Sequence, residues 1–209
     1  MSDEPTARDS RSRDRARTEA DILAAARVVL AEDGFQGFGV NAVARRAGCD
    51  KQLIYRYFGG LDGLVDAIGL DLAGWLEREL LSEDAPPRTY AELVEQLVLR
   101  FLAALRADPL VQRIAIWELA APSPLVARLA AARGTAMMRW VAKTRGALTP
   151  PEGVDAPAFN ALLIAAVLLL ALAGAAVGSF SGLPLQSDAD WARVQAAAVT
   201  LVRAVYSEG

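Results

Sequence analysis

The sequence predicts an all-α protein, and three observations carry that expectation. Alanine and leucine fill long stretches in which apolar residues recur at helical spacing, while strand-forming runs of Val, Ile, Thr and Tyr are scarce. Glycine and proline punctuate the chain at intervals of about one helix, at Gly34, Gly48, Gly59–Gly60, Pro86–Pro87, Pro109, Pro122, Pro124 and Pro150–Pro151. Hydrophobic residues make up 54% of the 209 and charged residues 22%, enough apolar surface to bury a core.

The same composition narrows the function. There is no histidine, which removes the commonest general base and metal ligand together. With neither a nucleophile motif nor a phosphate-binding glycine loop, an enzyme is the disfavoured class, and no cofactor or metal is expected. The single cysteine, Cys49, excludes an internal disulfide and fits a reducing compartment. A polar N-terminus without an apolar signal-peptide core predicts cytoplasmic residence.

The elements follow in order. Residues 1–16 read as a disordered leader whose "RDSRSRDRAR" run holds five Arg and two Asp. This run is either a solubilising tail or an arm that touches DNA phosphates or the minor groove. A first helix spans roughly Thr18–Asp33, with Ile22, Leu23, Ala26, Val29 and Leu30 as its apolar stripe and Gly34 just past its end. A second helix runs from Val40 to Ala47 and is closed by Gly48. Asp50 is placed to cap a third, Lys51–Phe58, which stops at Gly59–Gly60. A fourth starts near Leu61.

Two short helices joined by a glycine turn form a helix-turn-helix. Ala44 is small where the helices cross, Gly48 permits a left-handed turn, and Ile54 fills the shared core. On the third helix Ile54 and Phe58 are i and i+4 and point inward. Lys51 with Tyr55, and Gln52 with Arg56, then occupy the outer faces. That outer set has the chemistry of groove reading: Arg and Lys bond guanine edges, Gln bonds adenine, and tyrosine hydroxyls reach phosphate. Charge agrees locally. The chain's net charge is −3, but Val43–Phe58 carries Arg45, Arg46, Lys51 and Arg56 against Asp50 alone.

The stretch "ILAAARVVLAEDGFQGFGVNAVARRAGCDKQLIYRYFGGLDGLVDAI" resembles the N-terminal domain of TetR-family transcriptional repressors. The matching pieces are Gly34-Phe35, the Val40, Val43, Ala44, Ala47, Gly48 spacing, and the Leu53–Phe58 block, within roughly residues 18–70. The resemblance implies DNA contacts from Asn41 on the second helix and from Lys51, Gln52, Leu53, Tyr55, Arg56 and Tyr57 on the third. Three positions depart from the family pattern: Gly39 where Ser or Thr usually caps the second helix, Leu53 where a small residue is usual, and Leu61 where a phosphate-clamping lysine often stands.

The remainder reads as a helical ligand-binding and dimerisation domain, giving the division 1–16, 17–60 and 61–209. Tyr90–Ala107 is amphipathic, Leu110–Gly146 is a long helical stretch interrupted at Pro122 and Pro124, and Thr149–Gly153 is a linker. Phe101, Met137, Met138, Trp140, Trp117 and Phe159 are candidate walls of an effector cavity, with Arg113, Glu118 and Asn160 as polar anchors; ordinary core is the competing reading. Ala161–Gly178 is an eighteen-residue uncharged run with the length of a membrane span. Seven alanines and two glycines make it weakly hydrophobic, and a helix buried on all sides is the alternative. A final helix, Ser187–Tyr206, follows. The family resemblance implies dimerisation through these last two helices, with Ala171, Gly174, Ala175, Gly178, Trp191, Val194, Leu201 and Val205 as the expected interface. The resulting expectation is a cytoplasmic homodimeric repressor, released from a palindromic double-stranded DNA operator by a small apolar effector. A membrane-tethered regulator is the second reading.

Overall fold

A computed structural model describes residues 7–81 and 86–206. Among the described residues the chain forms nine α-helices and one minimal hairpin. The helices are α1 (Ala7–Gly37), α2 (Val40–Ala47), α3 (Lys51–Phe58), α4 (Leu61–Leu80), α5 (Tyr90–Ala107), α6 (Pro109–Ala120), α7 (Pro124–Arg145), α8 (Ala156–Val177) and α9 (Asp188–Tyr206). The hairpin pairs β1 (Ser179–Phe180) with β2 (Leu183–Pro184) between the last two helices. The all-α expectation holds, and most boundaries fall within a residue or two of where caps and breakers place them. Thr89 accepts from the Glu92 amide at 3.1 Å to start α5, and Ser187 accepts from the Asp190 amide at 3.2 Å to start α9. Pro122 and Pro124 separate α6 from α7 instead of kinking a single helix.

One expectation needs correction. The leader is not irregular from residue 7 onward: α1 begins at Ala7, so residues 7–16 are helical, and residues 1–6 lie outside the described ones. Arg and Ala are good helix formers, and extending a helix already nucleated downstream costs little. The chain forms two compact units, Met1–Ala73 with Arg113–Thr135, and Gly74–Gln112 with Ala136–Gly209.

The first unit holds α1 to α3, the first part of α4, and the adjoining parts of α6 and α7. Ile22, Leu30, Val43, Ile54, Leu64, Val65, Ile68 and Leu129 are all but inaccessible to solvent. Bidentate ion pairs brace it: Arg128 with Asp66 at 2.6 and 2.7 Å, and Arg133 with Glu118 at 2.6 and 2.9 Å. Gly34, at φ 65° and ψ −172°, breaks α1, and the Trp117 ring fills the space beside it. A Cβ at Gly34 would sit 2.8 Å from that ring, so both the backbone angle and the packing exclude a side chain there. The Trp117 indole N–H donates to the Ala31 carbonyl at 3.3 Å, beside the break.

The second unit is built on α5, with α8 and α9 both packed against it. Its core joins Val98, Leu102 and Leu105 of α5 to Leu163, Val167 and Ala171 of α8 and Trp191, Val194 and Val202 of α9. A polar knot sits inside. Tyr206 donates to Asn160 Oδ1 at 2.9 Å, and Asn160 Nδ2 donates to the Tyr90 hydroxyl at 3.1 Å. The Tyr90 and Phe159 rings lie edge-on to Tyr206, with centroids 4.9 and 5.3 Å away. Burial pushes the Tyr206 phenol up to about 12, with the neighbouring Tyr90 and Asp155 adding to it.

Candidate nucleic-acid interface

The turn between α2 and α3 is made as the sequence predicts. Gly48 sits at φ 64° and ψ 31°, in the left-handed region, and its amide bonds back to the Arg45 carbonyl at 3.4 Å. Gly39 precedes α2 without any side-chain cap, as its lack of a side chain requires. Asp50 caps α3, its carboxylate accepting from the Gln52 amide at 2.8 Å. This fixes the rotation of α3. Ile54 becomes 0% exposed and Phe58 half-buried, so the other side of the helix must face water.

What faces water is the expected set. Lys51, Gln52, Tyr55 and Arg56 are exposed, as is Asn41 on α2; Leu53 and Tyr57 are half-buried at the edge of the face. Lys51 and Gln52 occupy the first turn of α3, the end that meets base edges when such a helix enters the major groove. Arg56 and Tyr57 occupy its last turn. There Arg56 Nη2 donates to the Tyr57 hydroxyl at 2.8 Å, and its guanidinium lies 4.8 Å from the Tyr57 ring centre.

The charge of the face differs from the sequence tally. Arg46 is turned away into a bidentate pair with Glu32 of α1, at 2.8 and 3.3 Å, and serves to lock α2 onto α1. Arg45, Lys51 and Arg56 remain exposed on α2 and α3. Arg15, on the helical extension of α1, comes to 5.5 Å from the Tyr57 ring centre. The sequence left the run that holds Arg15 open between a solubilising tail and a DNA-touching arm, because an irregular leader has no fixed position. Cys49 is half-buried in the turn, and burial together with Asp50 raises its thiol pKa, which keeps it protonated.

Comparison with known proteins agrees with this geometry. Residues 22–68 match the family model of bacterial regulatory proteins, tetR family. Residues 22–68 therefore carry an N-terminal domain of the tetR type. Solved structures of this class share the fold over nearly the whole length. A TetR family transcription regulator from Marinobacter aquaeolei VT8 is 17% identical, with a TM-score of 0.64 over 93% of this chain and 97% of that one. One from Mesorhizobium loti MAFF303099 is 23% identical, with a TM-score of 0.62 over 92% and 98%. The multidrug binding protein EbrR, solved with imidazole, is 18% identical, with a TM-score of 0.60 over 92% and 96%. No curated protein matches the sequence.

The other expected sites fare differently. The expected effector-cavity residues fall in both units. Arg113, Trp117 and Glu118 belong to the first unit, where Trp117 covers the α1 break and Glu118 is spent on Arg133. Phe101, Met137, Trp140, Phe159 and Asn160 belong to the second. Phe101 and Phe159 pack on its core, Asn160 is tied to Tyr90 and Tyr206, and Met138 is exposed. The expected interface is split as well. Ala171, Trp191 and Val194 are 2%, 5% and 6% exposed inside the protomer's own core, and Val205 packs against it. Gly174 faces Trp191, whose ring would lie 2.6 Å from an added Cβ, and Gly178 terminates α8. Only Ala175 and Leu201 of that set are exposed. Nor is α8 buried all round: Leu162, Ile164, Leu169 and Val177 project from it into solvent. It is long and apolar enough to cross a membrane, with 22% of its apolar window buried within the protomer.

Proposed function

We propose that this TetR-family regulator is a cytoplasmic homodimeric repressor, bound to an inverted-repeat operator through α2 and α3 and released by a small, mostly apolar effector. The observation that carries the reading is the orientation of α3. With Ile54 sealed in the core, Lys51, Gln52 and Tyr55 stand together on the outer face, and their chemistry suits base edges in a major groove. Asn41 flanks them on α2, and Leu53 supplies an apolar edge suited to a thymine methyl.

The dimer rests on the outer face of the second unit. Leu162, Ala166, Leu169 and Ala176 recur along one stripe of α8, and Ala197, Leu201 and Ala204 along one stripe of α9, all exposed. Apolar stripes of this kind on a folded protein mark an interaction surface, and a self-complementary contact between two copies covers both at once. The effector is assigned only by class. The apolar, aromatic makeup of residues 90–180 favours an apolar molecule, and the fold neighbour EbrR is a multidrug binding protein solved with imidazole.

Selection of bound duplexes from a random DNA library tests the reading. The expected winners carry an inverted repeat and bind two protomers, and the soluble fraction of lysed cells holds the protein. Winners without inverted symmetry would refute the dimeric repressor. Recovery in the membrane fraction would favour α8 as an anchor.

A further inference from the structure

The helical extension of α1 brings a basic side chain to the last turn of α3, and the two together enclose an open cleft. Its lining is Asp14, Arg15 and Thr18 from α1 with Arg56 and Tyr57 from α3, around a volume of about 320 Å³. Both guanidinium groups lie against one aromatic ring, Arg15 at 5.5 Å and Arg56 at 4.8 Å from the Tyr57 centroid. The Tyr57 hydroxyl already accepts from Arg56 at 2.8 Å, which leaves its own proton to donate. Thr18 is committed to the Asp14 carbonyl at 2.8 Å and serves the helix.

We propose that this cleft holds a DNA backbone phosphate, with Arg15 a positioning residue that fixes the register of α3 on the duplex. The inference rests on the DNA-binding reading above and adds to it a contact from outside the helix-turn-helix. Two guanidiniums and a phenolic proton converging on one opening match the acceptor oxygens of a phosphate diester. They carry no pattern that tells one base from another. The site sits on the last turn of α3, away from the base-reading turn at Lys51 and Gln52, so the two jobs divide along the helix. Arg56 thereby moves from the base-reading set to the phosphate set. The Asp14 carboxylate lines the same cleft and opposes the anion, which tempers the contact. Leu61 stands where the family often has a phosphate-clamping lysine, and Arg15 supplies a cation from the opposite end of the domain.

The test is operator binding by the full chain across a salt series, using the selected duplex and its scrambled-flank variants. Arg15→Ala should weaken binding uniformly across sequences and reduce the slope of log affinity against log salt by about 2, one phosphate in each of two half-sites. The deficit should therefore shrink by about tenfold between 50 and 200 mM salt. Arg15→Lys, which keeps the charge, should restore the slope. Wild-type affinity and slope in Arg15→Ala, an altered base preference, or a lysine variant as deficient as the alanine one would each overturn the proposal. Circular dichroism of the same samples confirms that the helices are intact. If wild-type protein selects no duplex at all, the DNA-binding reading fails first. If Gln52→Ala impairs binding and Arg15→Ala does not, only this inference fails.

Discussion

The two units turn chemically opposite surfaces to the solvent. The first exposes Lys51, Gln52, Tyr55 and Arg56 from a helix whose inner side is anchored by the fully buried Ile54. The second exposes Leu162, Leu169, Val177 and Leu201 from helices whose inner sides are equally apolar. A polar surface with directional donors suits a hydrated partner that must be read by hydrogen bonds. An apolar one is stable in water only when something covers it. The difference teaches that α8 is not one buried cylinder: its inner half closes the protomer and its outer half is left apolar and exposed.

The comparison is broken most severely by charging the outer stripe. Leu162→Arg combined with Leu169→Arg should yield a folded monomer whose operator affinity falls on the order of 100-fold, because the two half-sites no longer bind together. Sedimentation velocity and operator titration on one sample check it. A dimer that survives would place the interface elsewhere.

The inner half responds differently. Gly174→Leu would drive a side chain into Trp191, with Leu185 Cβ at 3.3 Å closing the other side. Loss of about 3 kcal/mol of protomer stability is expected, read as a lower denaturant midpoint, with dimerisation of the surviving folded fraction unchanged. A stable monomeric product would instead return Gly174 to the interface.

A pH measurement sharpens the picture of the second unit's core. The Tyr206 phenol is raised from 10.0 to about 12 in the folded state, so folding favours its neutral form. That contribution is fully present below pH 10 and is lost as pH climbs from 10 toward 12, amounting to about 2 kcal/mol at the upper end. Tyr206→Phe should flatten this fall while lowering stability at pH 7 through the lost bond to Asn160. Identical alkaline profiles for the two proteins would show that the phenol ionises without penalty.

The smallest expected effect lies in the first unit. Asp14→Asn removes the one acidic residue among the described residues lining the cleft and should strengthen operator binding by about twofold, most visibly at low salt. Weaker binding would mean that Asp14 orients Arg15 instead of opposing the phosphate.

The helix-turn-helix was legible in the sequence because its constraints are local. A left-handed glycine, an Asp cap and an i,i+4 pair of apolar residues fix α3 within the stretch from Gly48 to Phe58. The rest depends on distant partners. Arg128 meets Asp66 across 62 residues and Trp117 reaches Ala31 across 86, so nothing near either position signals that α6 and α7 return to the first unit. Nor does the sequence tell which arginine of "VARRAG" faces outward, since that depends on Glu32 one helix earlier. In α8 the periodicity has no contrast: with apolar residues on every side, pattern alone cannot separate the face that meets Trp191 from the face left exposed. Within the protomer, the side chain that lies against Gly174 is Trp191 of the chain's own α9.

The central claim is that the first turn of α3 reads bases while its last turn holds the backbone. The base-preference profile of Gln52→Ala beside that of Arg56→Ala, each measured over every single-base variant of the selected operator, tests it most directly. Gln52→Ala should flatten preference at one position per half-site, by ~1–3 kcal/mol of discrimination. Arg56→Ala should lower affinity for every variant alike and leave the profile's shape intact. A Gln52→Ala profile that matches wild type, or an Arg56→Ala profile that loses preference at a defined base, would contradict this division of labour along the helix.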